Sequence, residues 1–401
     1  MPLKLNGSSS GYISIDAPAV AGTTSLTFPA TNGSIIVANS TGSVSISNTL
    51  VVSGTSTHTG AATFSNTVTF SSDIVPATSY KRNRIINGNM LIDQRKAGAS
   101  VTPTATSANT YLVDRWMTYI TQASKLTFQQ NAGSVTPPAG FKNYLGVTST
   151  SAYSVVSSDV FVLRQAVEGY NVADFGWGTA SAQTVTLSFW VRSSLTGTFG
   201  GSIVNDTGAR AYAFSFTISS ANTWTQISVT IAGDTSGTWL STNGCGMFVD
   251  FNLGAGSTAL GTPSVWTGSY LNGPTGAVSV VGTSGATFYI TGVQLEVGTK
   301  ATPYEMQIYS DQLAQCQRYF FVTANNITYQ AYTTAGQNAY YYLFFPVQMR
   351  TAPTISSNIT SISCTSTPSS TAQSIGISVS IASTTTFQSI YLSGNTASAE
   401  L

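Results

Sequence analysis

QTVTLSFWVRS, residues 183–193, alternates without a break: Val185, Leu187, Phe189 and Val191 share one face, and Thr186, Ser188, Trp190 and Arg192 the other. A period of two marks a strand with one face in a core. The same period returns in YAFSFTI (212–218), through Tyr212, Phe214, Phe216 and Ile218, and in QISVTI (226–231), through Ile227, Val229 and Ile231. GMFVDFNL (246–253) aligns Met247, Val249, Phe251 and Leu253. In TFYITGVQLEV (287–297) Phe288 and Ile290 are followed by Val293, Leu295 and Val297; parity changes at Gly292, which predicts a β-bulge. Half-buried strands separated by Gly, Ser and Thr turns predict an all-β chain, with an antiparallel jelly-roll β-sandwich over 81–305.

Composition agrees with strands. Only 7% of the 401 residues are charged, against about a quarter in ordinary soluble domains. Aromatics at 11% exclude a disordered chain, and no apolar run approaches the roughly 20 residues of a spanning helix. The net charge is +1, and the basic residues are scattered except for Lys81, Arg82 and Arg84, which read as a solvated linker. Without a basic stripe to release counterions, no nucleic-acid partner is expected. Cys245, Cys316 and Cys364 lie too far apart for a disulfide framework or a zinc site. The opening MPLKLNGSSSGYISI lacks the apolar core of a signal peptide, so synthesis in a cytoplasm is expected.

Residues 39–74 divide every six residues into NSTGSV, SISNTL, VVSGTS, THTGAA, TFSNTV and TFSSDI. The fourth position holds Gly42, Asn48, Gly54, Gly60, Asn66 and Ser72; the sixth holds Val44, Leu50, Ser56, Ala62, Val68 and Ile74. A single-chain left-handed β-helix would find only about two coils here, and repeat folds need several stacked units. Three chains winding together, each giving one side of a shaft, need no more than this short repeat. The absence of charge between Asp16 and Asp73 suits that reading, because symmetry would set like charges side by side. Val44, Leu50, Phe64, Val68, Phe70 and Ile74 are the expected shaft contacts. Before the hexads, 1–38 reads as a small β segment or arm. After the sandwich, YSDQLAQCQRYF (309–320) spaces Leu313, Cys316 and Phe320 as one helix face, with Ser310 or Asp311 as cap. NITYQAY, AYYYLFFPVQM and SIGISVSI then predict a C-terminal β knob within 306–401.

Longer phrases resemble a known family. RNRIINGNMLIDQRKAGASVTPTATSANTYLVDRW, SFWVRSS, NTWTQISVTIAGDTSGTW, ITGVQLEVGTKATPYEMQIYSDQLAQCQRYF and FPVQMRTAPT resemble a domain of tail-fibre and other receptor-binding proteins of tailed bacteriophages. LKLNGSSSGYISIDAPAVAGTTSLTFPA resembles the N-terminal piece of phage fibre proteins, and phrases such as QLEVG also occur in carbohydrate-binding jelly rolls of enzymes. The resemblance covers about Leu3 to Pro353. It implies a homotrimeric virion fibre with N-terminal attachment to other virion proteins (1–38), a shaft and linker (39–80), a jelly-roll head (81–305) and a distal knob (306–401). It implies no particular receptor and carries no fixed site residues.

Catalysis has little to stand on. His58, the single histidine, occupies a hexad position held elsewhere by Ile46, Val52, Phe64 and Phe70, so no triad or His-based acid–base pair is expected. Asp159, Glu168, Asp174, Asp250, Glu296 and Glu305 lie in no local motif, and buried or turn-capping roles explain them more simply than glycan cleavage. No metal site, cofactor or membrane insertion is expected. Glycan recognition needs aromatic faces beside a few polar groups. Strand parity turns Trp190, Arg192, Asp250, Asn252 and Tyr289 away from the core, as a glycan platform or a protomer interface. Trp177, Trp239 and Trp266, in Gly/Ser/Thr loops, are either ligand contacts or hydrophobic plugs. Tyr329, Tyr332, Tyr340 and Tyr342 form a tyrosine-rich C-terminal surface for receptor or trimer. The leading expectation is a non-enzymatic receptor-binding fibre. The alternatives are a decoration or connector fibre of capsid or baseplate and, behind it, a polysaccharide-degrading tailspike.

Overall fold

The computed structural model describes residues 3–6, 12–15 and 81–401, apart from 105, 107–108, 324–326, 334–336, 363–364 and 381–385. Strands β1 (Leu3–Asn6) and β2 (Tyr12–Ile15) form an antiparallel hairpin. It belongs to one compact unit, 1–69, while 70–401 form another. In the larger unit the chain runs through β3 (Thr110–Tyr111), β4 (Trp116–Ile120), β5 (Leu126–Gln130), β6 (Leu145–Ser149), β7 (Val160–Glu168) and β8 (Val185–Ser193). Next come β9 (Gly197–Asn205), β10 (Ala211–Ile218), β11 (Thr225–Ile231) and β12 (Cys245–Ala255). The short β13 (Leu260–Gly261), β14 (Trp266–Thr267) and β15 (Gly273–Pro274) lead to β16 (Thr287–Val297). Helix α1 (Tyr309–Gln317) precedes β17 (Phe320–Val322), β18 (Ile327–Thr333), β19 (Asn338–Phe344), β20 (Thr354–Ile362), β21 (Thr365–Ser370), β22 (Ser374–Ser380) and β23 (Thr386–Ser398).

Two antiparallel sheets stack into a β-sandwich: seven strands in the order β14-β10-β9-β12-β7-β4-β3, and five in the order β11-β8-β16-β6-β5. The alternation in the sequence supplies the layer between them. From β8, Val185, Leu187, Phe189 and Val191 enter the core; from β12, Met247, Val249, Phe251 and Leu253 meet them. Phe189 touches Phe216 and Phe251 edge-on, both at 5.0 Å between centroids. Burying the four core side chains of β8 is worth roughly 6–12 kcal/mol before chain entropy is subtracted. The β16 register shifts between Thr291 and Gln294, as the parity change predicts, and Gly292 sits there at φ 63°. A Cβ at 292 would lie 2.6 Å from Phe141 Cζ, so glycine is required by backbone and space alike.

After the sandwich, β17, β23 and β18 form one sheet, with β20 also paired to β23, and β19, β22 and β21 form another. Phe345, Met349, Ile375, Ile377, Val379 and Ala397 fill a small core of their own. Ion pairs cross the expected boundary near residue 305: Arg318 to Glu168 at 2.6 Å, and Glu400 to Arg95 at 2.5 Å and to Arg115. Helix α1 departs from expectation at its start. Ile308 occupies the N-cap without a side-chain bond, and the buried residues are Gln312 and Cys316 rather than Leu313. Gln312 is held inside because its amide donates to Asn89 Oδ1 at 2.7 Å. Cys245 and Cys316 are buried free thiols. Among the described residues no helix is long and apolar enough to cross a membrane.

Candidate functional site

On the outer face of the five-stranded sheet, Gln226, Trp190 and Thr291 stand in register across β11, β8 and β16, and Arg192 stands beside Tyr289. One half of this face is covered. Glu296, turned outward, accepts from Thr302 N at 2.8 Å and Thr302 Oγ1 at 2.7 Å, and Phe141 packs edge-on to Tyr304 at 5.1 Å. The other half is open, with Gln226, Ser228 and Thr230 exposed on β11. Trp190 lies at the step between the halves, its Cδ1 3.2 Å from where a Cβ on Gly292 would fall. The bulge glycine therefore makes room for this ring.

Five of the six tryptophans spend the indole N–H inside the protein. Trp116 donates to Asn87 O, Trp177 to Gln183 O, Trp224 to Thr136 O and Trp266 to Ala232 O, while Trp239 reaches Asp234 Oδ2 and Ser236 O. Trp190 has no protein acceptor among the described residues and is half-buried. Arg192 donates from Nε to Asn222 O at 2.9 Å and holds its guanidinium 5.5 Å from the Tyr289 ring centre. Behind it Tyr144 packs on Tyr289 at 5.2 Å and on Trp224 at 5.5 Å, a rigid aromatic backing. The result is a shelf with an aromatic ring, an unspent indole N–H, a guanidinium and the Gln226 amide. Such a set suits C–H faces and hydroxyls together.

Asp250 and Asn252 need correction. Parity does turn them from the core, but they lie on β12 of the seven-stranded sheet, so they do not join Trp190 and Arg192. Nor are they open: Asp250 is 0% exposed and Asn252 2%. Asp250 accepts two bonds of 2.7 Å from Arg164 and one of 2.9 Å from Asn272, and Arg164 also donates to Tyr270 Oη at 2.5 Å. The guanidinium rests 4.3 Å from the Phe248 ring centre. Burial pulls the Arg164 pKa down, but the charge and hydrogen bonds of Asp250 outweigh it and the pKa rises. Parity fixes in or out for each strand, not which sheet takes it or which loop covers it.

Trp177, Trp239 and Trp266 meet one another edge-on, at 4.8, 5.2 and 5.5 Å between centroids. Trp177 belongs to the sandwich core and the other two pack against it, so the three rings close one part of that core. Tyr340 and Tyr342 lie on β19, 61% and 57% exposed, and Phe344, which the sequence reading passed over, is 71% exposed on the same face. Opposite them on β22 stand Ser378, Gly376 and Ser374. Tyr342 lies against the glycine, its Cε1 3.3 Å from where a Cβ would be. The side chains of Tyr329 and Tyr332 lie outside the described residues, as do His58 and the hexad residues Val44, Leu50, Phe64, Val68, Phe70 and Ile74. Trp224 and Arg164 were also missed; Trp224 shares the parity of Gln226 and Ser228, which would have placed it on the shelf side.

The six acids weighed for catalysis all hold structure. Asp159 accepts from Val156 N, Thr121, Gln122 and Tyr153. Glu168 takes Arg318 and Tyr319, Asp174 takes Arg84, and Glu305 takes the backbone N–H of Lys81 and Asn83. Asp250 and Glu296 are engaged as described. Among the described residues no group of His, Cys, Asp and Glu could hold a metal ion.

No family model and no curated protein sequence matches the chain. Among solved structures it is similar to the family 11 carbohydrate-binding module from Clostridium thermocellum in complex with a β-1,3-1,4-mixed-linked tetrasaccharide: 12% identity over 51% of this chain and 100% of that one, TM-score 0.25. The N-terminal cellulose-binding domain of Cellulomonas fimi β-1,4-glucanase C is 12% identical over 52% of this chain and 99% of its own, TM-score 0.21. The enzymatically active domain of tailspike protein 4 of bacteriophage CBA120 is 12% identical over 46% of this chain, TM-score 0.27, and the chain spans 19% of that domain.

Proposed function

We propose that this chain is a fibre protein of a tailed-phage virion that holds a host surface glycan without cleaving it. The observation that carries the reading is the shelf around Trp190, where one ring in six keeps its N–H for a ligand beside Arg192 and Gln226. The structural engagement of all six candidate acids supports binding over cleavage. The virion context rests on the sequence resemblance. Within it the chain assembles as a homotrimer, with 1–38 attached to other virion proteins, 39–80 as shaft and linker, 81–305 as head and 306–401 as knob. Several copies of a shallow site then give avidity that one lacks.

A second reading moves the contact to the β19 face, because three exposed aromatics stand there in a row opposite the small residues Ser378, Gly376 and Ser374. A connector fibre would use the same surfaces against virion proteins. Glycan-array binding of the labelled full chain separates these. On the shelf reading, Trp190→Ala lowers binding at least about tenfold, and Tyr340→Ser with Phe344→Ser leaves it unchanged. The reverse pattern transfers the site to β19. No glycan binding by the wild type, with capture of virion proteins instead, refutes both and leaves the connector.

A further inference from the structure

We propose a second binding site, separate from the shelf, that takes the anionic group of a charged sugar, a carboxylate or a phosphate borne on a single ring. It occupies a cleft of ≈ 270 Å³ between residues 81–86, the loop after β7 and helix α1. Lys81, Arg84 and Arg318 line it, with the amides of Asn171 and Gln307 and no acid among the lining residues. In a chain with 7% charge, three cations around so small a space stand out.

The basic group that reads as a solvated linker in the sequence is in fact built onto the sandwich. Arg84 N donates to Leu295 O at 2.9 Å, Asn83 Nδ2 to Val293 O at 3.0 Å, and Asn83 N to Glu305 Oε2 at 2.8 Å. The neighbouring acids are engaged: Glu168 with Arg318 and Tyr319, Asp174 with Arg84 Nη2 at 2.6 Å, Glu305 with backbone N–H groups. The Lys81 ammonium alone of the three cations has no ion-pair partner among the described residues. Charge-assisted bonds to an oxyanion from Lys81, with Arg84 and Arg318 lining the same cleft, are of the strong kind. The volume lies just below the about 300–1,000 Å³ of drug-sized sites, which suits one ring rather than a chain. The Asn171 and Gln307 amides in the same lining suit ring hydroxyls.

The test is calorimetric titration of the full chain with sodium glucuronate, glucose 6-phosphate, glucose and inorganic phosphate. Saturable binding of glucuronate or of glucose 6-phosphate supports the site, and whichever binds identifies the source of the charge. That affinity should fall about tenfold in Lys81→Gln and in Arg84→Gln, recover partly in Arg84→Lys, and hold in Lys142→Gln, an exposed lysine outside the cleft. The proposal is overturned if neither anion binds, if glucose binds equally, if inorganic phosphate matches glucose 6-phosphate, or if the Gln variants bind as the wild type does. Charged monosaccharides probe this cleft and neutral glycans the shelf, so either site can fail without the other.

Discussion

Asp250→Ala separates a structural acid from a ligand contact. Asp250 is 0% exposed, and Arg164 beside it has a side chain 5% exposed, joined by two bonds of 2.7 Å. Removing the carboxylate leaves the guanidinium with Tyr270 Oη as its one remaining acceptor among the described residues and leaves Asn272 Nδ2 without its own. Breaking a buried pair by deleting one partner costs about 3–5 kcal/mol, whereas replacing both partners with apolar groups of similar volume is often neutral. Urea unfolding followed by tryptophan fluorescence should therefore show a large loss for Asp250→Ala and a much smaller one for Arg164→Met with Asp250→Leu. Glycan binding by the folded fraction should be unchanged in both. The reasoning is refuted if Asp250→Ala stays within about 1 kcal/mol of wild type while glycan binding disappears. Asp250 would then be touching ligand, not holding the sheet.

Asp114 gives a pH test. Burial pushes its pKa up to about 6, against the hydrogen bond from Gln94 and the charge of Arg95. The folded chain thus keeps a proton that the unfolded chain has lost between about pH 4 and 6, so this group's contribution is favourable below that window and is lost as pH rises through it, by about 3 kcal/mol. Asp114→Asn should stabilise at pH 7.5 and make no difference at pH 4 in parallel urea melts; equal effects at both would contradict the assignment. Gly292→Ala should lower the unfolding midpoint by the equivalent of about 1–3 kcal/mol, from strained φ and overpacking against Phe141; a neutral result would mean the bulge relaxes. Light scattering of the full chain should give three times the 41.8 kDa chain mass if the homotrimer forms, and a monomer mass would remove the shaft from the proposal.

Strand faces were legible in the sequence because a period of two survives whatever the strand pairs with. Val185 to Val191 and Met247 to Leu253 both entered the core on the expected side, and the Gly292 bulge fell where parity changed. Partnership was not legible. It depends on pairs such as Thr287–Ile290 of β16 with β6, far away in sequence, and local composition carries no trace of them. That gap separated Asp250 from Trp190. The shelf was half legible: Trp190 and Arg192 follow from alternation, but the significance of Trp190 lies in an N–H left over once five other indoles find carbonyls, and Trp224 finds its own at Thr136, 88 residues back. Helix spacing in YSDQLAQCQRYF located α1 yet missed Gln312, whose burial depends on an amide partner at Asn89.

The pairing of Arg95 and Arg115 with Glu400 has a bearing on the order in which the fold is completed. Arg95 and Glu400 stand 305 positions apart. At roughly 5–20 residues per second, a ribosome needs roughly 15–60 s to travel that distance. For all that time the sandwich strands can zip up around Arg115 with no Glu400 to meet it, and around Arg95 with Asp114 as its near carboxylate. The nascent head can therefore be complete in outline well before Glu400 emerges, and the segment that lays β23 into its sheet also carries the carboxylate to Arg95 and Arg115.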